Sequence, residues 1–402
     1  MSSRRTFIQK AGLLAGASVL HNLTPVHARA SFTNIAEETR SQLIVPSGRM
    51  YLNTGSLGPS PKMVIDAVVQ AMYTLEKNPV SENWGALGNQ MEIVRKKVAD
   101  FIHADVNEIL LTRNTTEGLS LVCQVLALNK GDEILTTNLE HGGGETGLEY
   151  LVRTKGASII KVTLPLPPED PQEIVREIEK AITPRTKLVM LSHVNTVTGV
   201  LMPLAEIAKL TASRGIFLIA DGAQAPGLVP VDVHALGVDA YASSGHKWLL
   251  GPKETGFLYL RKDFQPLIQP VFSSGGYSSY TQSSGTRNVA TIIGLGAALD
   301  WHTTIGVDKI RDQTLVVRNH CLEGLKKIEG LKILSPENKA MATGMVSFEL
   351  LNTKNSDVYD RLKEQEIIVK ILPQHNAIRI SCHVFVSVGE IDKFLAALQK
   401  II

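Results

Sequence analysis

The sequence predicts an α/β fold built around a mostly parallel sheet, on three observations. Between about residues 105 and 260, short runs rich in Ile, Leu and Val alternate with segments of helical period. The runs are apolar throughout rather than alternating, as strands covered on both faces are. Several end in polar residues, and open α/β sheets bind their ligands at the carboxyl ends of their strands.

Composition narrows the function classes. The chain has 402 residues, 44% hydrophobic and 20% charged, with 41 Lys+Arg against 39 Asp+Glu. That length accommodates two or three domains with a substantial core, and the hydrophobic content excludes a disordered or fibrous chain. Removing Arg4, Arg5, Lys10 and Arg29 from the 41 basic residues leaves 37 against 39 acids, a balance of −2. A body so near neutrality argues against a non-specific nucleic-acid binder. The three cysteines, Cys123, Cys321 and Cys382, are far apart and form no CxxC pair, so neither a zinc cage nor a disulfide framework is expected.

The elements follow in order. Residues 1–30 carry Ser3-Arg4-Arg5-Thr6-Phe7, then the apolar stretch AGLLAGASVL, then small residues towards Ala28 and Ala30. This resembles a twin-arginine signal peptide cleaved after Ala28 or Ala30, which implies export by the twin-arginine translocation machinery to a bacterial periplasm. The apolar stretch is too short for the ~20 residues a membrane-spanning helix needs. Helices are expected over 61–77, opened by Pro61, and over 89–103, which carries its charges on one side. NEILLTR, DEILTTN, ASIIKVTL, KLVMLSHV, IFLIADG and VDAYASS read as strands separated by helical segments. A Gly/Ser-rich passage, SSGGYSSYTQSSGTRN, precedes a helical stretch from TIIGLGAALDWH and a mixed C-terminal region ending in GEIDKFLAALQKII. A domain boundary is placed at 285 to 300, giving a large domain over 31–285 and a smaller one over 286–402.

The strand ends hold the chemistry. IFLIA ends in Asp221-Gly222-Ala223-Gln224, VDAYAS in Ser243-Ser244-Gly245-His246-Lys247, and NEILLTR in Asn114-Thr115-Thr116-Glu117 before a helix. A lysine in a partly desolvated pocket loses its proton and can condense with an aldehyde. An aldehyde cofactor bearing a phosphate and a pyridine nitrogen uses every other group present. The N–H groups at the helix start, with Thr115, Thr116, Ser244 and His246, suit the phosphate. Asp221 suits the pyridine nitrogen, which makes the ring an electron sink. The implied cofactor is pyridoxal 5′-phosphate, with no metal.

These motifs resemble the class V aminotransferase family of fold-type I pyridoxal-phosphate enzymes, which includes cysteine desulfurases and isopenicillin N epimerases. The resemblance runs from YLNTGSLGPSP, near residue 51, to the C-terminus. It implies a mostly parallel seven-stranded sheet in the large domain and a smaller C-terminal α+β domain. It also implies that Lys247 is the lysine joined to the cofactor, Asp221 the pyridinium partner, Gln224 a donor to the ring 3′-oxygen, and Ser244 and His246 phosphate ligands. His141, in LEHGGGETG, corresponds to the residue stacked on the ring. Thr286, in SSGTRN, corresponds to the residue that reaches the neighbouring subunit's cofactor, implying a homodimer with shared sites. Arg379, in AIRIS, corresponds to the binder of the substrate α-carboxylate, a task suited to a guanidinium fork.

Two departures from the family pattern matter. The segment often written SHVSNVLG reads Ser192-His193-Val194-Asn195-Thr196-Val197-Thr198-Gly199, so Asn195 and Thr196 both remain candidates to face the cofactor. The stretch KEQEIIVKILPQHNAIRIS lacks the cysteine that desulfurases carry shortly before the arginine. A persulfide mechanism needs an accessible thiolate, so desulfurase activity is disfavoured. The opening YLNTGSLG and Arg287 after the Gly-Thr pair resemble the epimerase-like branch. Arg287 is a candidate to receive the distal carboxylate of an aminoadipate- or glutamate-like substrate. HGGG at 141–144 resembles an esterase oxyanion loop, yet no GxSxG occurs, and there is neither a Walker A sequence nor a complete dinucleotide fingerprint.

The expected function is thus pyridoxal-phosphate chemistry at the α-carbon of an amino acid or a metabolite containing one, by epimerisation or transamination. Carbon–sulfur lyase or desulfurase chemistry is the alternative, and a silent binding module the rival from another class.

Overall fold

The computed structural model describes residues 35–267 and 285–402. The expected signal peptide over 1–30 lies outside the described residues. Residues 35–402 form one compact unit.

The central sheet has seven strands in the order β2-β8-β7-β6-β5-β3-β4. They are β2 (Ile109–Thr112), β3 (Glu133–Thr137), β4 (Ser158–Val162), β5 (Thr186–Ser192), β6 (Phe217–Asp221), β7 (Ala240–Ser244) and β8 (Gly256–Leu260). β3 to β7 pair in parallel, whereas β8 runs antiparallel to both β2 and β7. Six of the seven coincide with the apolar runs expected as strands. β8 was not among them, because GFLYL follows β7 after a short connection with no helical crossover to announce it.

Alternate residues of each strand enter different cores. Leu111, Leu191, Ala220 and Tyr241 pack on one face with the helices Ala86–Phe101 and Val289–Ile305. Leu110, Met190, Ile219 and Ala242 pack on the other with the helices Thr115–Val125 and Gly142–Lys155. Burial on both faces explains the continuous apolar runs, each large side chain contributing about 1.5–3 kcal/mol. The helices expected over 61–77 and 89–103 span Lys62–Leu75 and Ala86–Phe101.

A second, antiparallel sheet has the order β12-β13-β10-β9. It consists of β9 (Leu331–Ile333), β10 (Met345–Leu350), β12 (Lys370–Leu372) and β13 (Ala377–Ser381). The helix Val388–Ile401 closes its core and is held at its start by reciprocal bonds between Ser387 and Glu390. Leu43 and Leu52 also enter this core, and β1 (Met50–Tyr51) pairs in parallel with β11 (Ile367–Ile368). This returns the N-terminal segment to the C-terminal region and delivers the loop after β1 to the space between the two sheets.

Candidate active site

The site lies at the carboxyl ends of β5, β6 and β7, facing β13. Asp221 is the last residue of β6, where its Oδ1 accepts the Ala223 amide N–H at 2.9 Å. Gly222 is obligatory at this exit because a Cβ would lie 2.1 Å from the Tyr241 ring. Ser244 ends β7, and its hydroxyl accepts the Thr115 N–H at 3.0 Å and meets the Thr115 hydroxyl at 2.7 Å. Asn114 caps the same helix by accepting the Glu117 N–H at 2.9 Å. The start of the helix Thr115–Val125 is thereby fastened to the β7 exit.

His246 and Lys247 follow on the turn after β7 and are both half-buried. The loop after β1 closes over them. Gly58 donates to the His246 carbonyl at 2.7 Å, and a Cβ at Gly58 would lie 2.1 Å from the Lys247 carbonyl oxygen. Loss of hydration lowers the Lys247 amine to about 8; Arg379 and Lys370 push it the same way, against Asp221. Burial likewise lowers His246 to about 4, helped by Lys247 and Lys253, so its ring is neutral at pH 7. Among the described residues its buried Nδ1 has no hydrogen-bond partner.

His141 is exposed and caps the helix Gly142–Lys155 by accepting the Gly143 N–H at Nδ1, at 3.0 Å. The glycines after it permit close approach. A Cβ at Gly143 would lie 2.6 Å from the Thr116 hydroxyl, and one at Gly144 would lie 3.3 Å from Asp221 Oδ2. Burial first, then Lys247, lowers the His141 pKa.

Asn195 and Thr196 separate clearly. Asn195 Nδ2 donates to the Leu139 carbonyl at 2.8 Å, and its Oδ1 accepts from Val197 N, Thr198 N and the Thr198 hydroxyl. That side chain is consumed by its own turn. Thr196 faces the site: its hydroxyl accepts from Arg379 Nη1 at 2.8 Å and from Gln224 Nε2 at 3.3 Å. Gln224 also donates to the Gly55 carbonyl at 2.8 Å and accepts the Trp248 indole N–H at 2.7 Å.

Arg379 comes from β13 and is 2% exposed. It donates to the Thr196 carbonyl at 2.9 Å and to the Ser56 hydroxyl at 3.3 Å, and among the described residues its buried Nε has no partner. Burial lowers its pKa to about 10. A guanidinium that, among the described residues, meets neutral oxygens and no acid is a ready receptor for a carboxylate. Thr286 is exposed, and Arg287 donates to the Leu111 carbonyl of β2 at 2.8 Å.

The sequence reading missed Glu140, Trp248 and Ser56. Glu140 joins the exits of two strands, accepting from Thr137 of β3 at 2.7 Å, from Ser192 N of β5 at 2.9 Å, and from the Ser192 hydroxyl. Desolvation chiefly raises its carboxyl to about 7, with Asp221 adding to the rise. Its position beside His141 was the available signal.

The chain belongs to the aminotransferase class-V family, which it matches over residues 50–394. It is 30% identical to a probable cysteine desulfurase of Pyrococcus abyssi over 92% of this chain and 98% of the relative. It is 28% identical to the isopenicillin N epimerase of Streptomyces clavuligerus over 91% of this chain and 98% of the relative. Among solved structures it resembles a mutant of C-DES with glycine covalently linked to its PLP cofactor. The TM-score is 0.81 and the identity 27%, over 90% of this chain and 99% of that one. It also resembles the cystine C-S lyase C-DES in complex with its reaction product cysteine persulfide, with a TM-score of 0.80 at 26% identity, over 88% of this chain and 98% of that one. The fold is therefore fold-type I, the chain is an enzyme of this class, and its cofactor is pyridoxal 5′-phosphate. The residues fit that group: a depressed lysine amine, an acid at a strand exit, the unpartnered His246 nitrogen, and glycines leaving room above Asp221.

Proposed function

We propose that this enzyme removes the α-proton of an amino acid, or of a metabolite containing one, in the manner of an epimerase or aminotransferase and without a cysteine nucleophile. The single observation that carries the reading is the pairing of Lys247, lowered to about 8, with the buried, acid-free guanidinium of Arg379. One group can act as a base near neutral pH and the other can fix a carboxylate beside it.

Pyridoxal phosphate, when bound, supplies an aldehyde for the substrate amine and an electron sink for charge developing at the α-carbon. In this scheme Arg379 orients the substrate through its α-carboxylate, with Thr196 and Ser56 steadying the guanidinium. Lys247 Nζ takes the α-proton and returns it. Asp221 would hold the ring nitrogen in its protonated form. Thr115, Thr116, Ser244 and His246 would receive the phosphate, and His141 would cover the ring. Gln224 has one longer bond, to Thr196, that can be redirected to the ring 3′-oxygen.

All three cysteines are buried. Burial pushes the Cys123 thiol up to about 12, and Cys321 is raised by its hydrogen bond with Cys382 and by burial. None offers the accessible thiolate a persulfide route needs. A second reading, carbon–sulfur lyase chemistry, is favoured by the likeness to C-DES.

Adding D- and L-amino acids to the purified holoenzyme, with visible absorption and product analysis, tests the proposal. Racemised substrate or a keto acid is expected. Pyruvate with sulfur release would move the enzyme to the lyase reading, and an unchanged spectrum across a broad panel would indicate a silent module. Twin-arginine export of residues 1–30, a periplasmic location and a homodimer in which Thr286 reaches the neighbouring site belong to the same proposal. Cell fractionation and sedimentation of the mature protein test these.

A further inference from the structure

One cation near the site has no task in the scheme above. Lys370 opens β12 and lies directly opposite Arg379 in the antiparallel pairing of β12 with β13. Directly opposed residues project on the same face of a sheet, and like charges placed so repel unless something lies between them. Lys370 is half-buried, and among the described residues it makes neither an ion pair nor a side-chain hydrogen bond. Burial and Arg379 both lower its pKa, and its charge is felt in turn at Lys247 and His141. The cations at this end of the site are thus Lys247, Arg379 and Lys370. Among the described residues the acid whose charge is felt at Lys247 is Asp221, which is assigned to the ring nitrogen. One α-carboxylate answers Arg379 and leaves Lys370 unmatched.

Resting on the proposed α-carbon chemistry, we infer that Lys370 and Arg379 form a two-cation subsite selecting amino-acid substrates with a second, distal carboxylate or equivalent anion. This places the acid-recognising group on β12 rather than at Arg287, which donates to the Leu111 carbonyl of β2. The anion relieves the cross-strand repulsion between Lys370 and Arg379, so binding is stronger than for a neutral side chain of the same length.

The test uses holoenzyme and two unreactive five-carbon probes, glutarate and valerate, with binding measured by calorimetry. Glutarate is expected to bind about tenfold or more tightly than valerate, the worth of one charge-assisted contact. In Lys370→Gln and Lys370→Met the ratio should fall to within about threefold, and in Lys370→Arg it should be retained. Bound-cofactor absorbance reports that each variant is folded. Equal affinities in the unaltered enzyme, a ratio unchanged in the Gln and Met variants, or a ratio lost only in Arg287→Ala would each overturn the assignment. Parallel measurement of α-proton exchange in deuterium oxide, with glutamate and glutamine, separates this proposal from the one beneath it. A glutarate preference dependent on Lys370, with no exchange on any amino acid, would sink the α-carbon chemistry and leave the subsite standing. Exchange on both amino acids without a glutarate preference would do the reverse.

Discussion

The two walls of the site are built differently. On the wall formed by the seven-stranded sheet, polar groups are fastened to one another: Ser244 to Thr115, Glu140 to Thr137 and Ser192, and Asp221 to Ala223. On the wall formed by β12 and β13, among the described residues, Arg379 meets only neutral oxygens and Lys370 stands beside it without an acid. A satisfied network holds its geometry before any ligand arrives, whereas an acid-free guanidinium in a buried setting is held at a cost that an incoming anion offsets. The first wall is suited to a resident cofactor and the second to a passing substrate.

Between them lies an apolar seam of histidines. His383, four residues after Arg379, stacks on Trp248 and bonds its carbonyl at 3.1 Å, and Trp248 adjoins Lys247. His302 packs edge-on to His383. This packing ties the lysine's backbone to the substrate wall.

The sharpest way to separate the walls is Arg379→Met. It should lower kcat/KM by about a hundredfold or more, chiefly through KM, while cofactor absorbance is retained. Because Arg379 depresses the Lys247 pKa, the same variant should raise it above about 8, visible as a shift to higher pH in the rate of cofactor capture by the apoenzyme. Loss of cofactor together with substrate binding would break the comparison.

Acid probes the seam. Burial lowers His302 to about 3 and His383 to about 4 within the seam, and His193, packed edge-on to Tyr241 beside the β5 exit, to about 4, from an ordinary value of 6.5. The unfolded chain therefore binds these protons first, so the stabilisation is complete above about pH 6.5 and is lost as pH falls towards 4 and then 3. Each residue contributes a slope of about 1.4 kcal/mol per pH unit in that window. Denaturant unfolding between pH 7 and 4 should show a steep, cooperative loss, and a flat profile would contradict the neutral, buried state.

A smaller effect is expected at the β6 exit. Gly222→Ala presses a methyl into the Tyr241 ring and should destabilise the fold by about 1–3 kcal/mol, measured by the denaturation midpoint. A neutral result would mean that the cofactor wall yields more readily than its bonding implies.

Much of the cofactor wall was legible in the sequence because its residues sit at strand ends: Asp221, Ser244 and Lys247 follow apolar runs that announce their own termini. Arg379 was legible only through the family motif, since nothing local in AIRIS indicates burial. The choice between Asn195 and Thr196 was not legible, because an amide consumed by its own turn and a hydroxyl facing the cavity differ in direction rather than in spacing. The Gly55 contact with Gln224 joins residues 169 positions apart and the Ser56 contact with Arg379 residues 323 apart, and both emerge only when β1 pairs with β11. Lys370 escaped for a related reason: its meaning lies in the cross-strand register with Arg379.

The central claim is that the amine of Lys247 captures the cofactor aldehyde. Borohydride reduction of the cofactor-loaded protein, followed by peptide mass spectrometry, tests it directly. A stable adduct should appear on the peptide containing Lys247 and be missing from Lys247→Ala, which should also lose α-proton exchange by about a thousandfold or more. An adduct on another lysine, or none in fully loaded protein, would contradict the account.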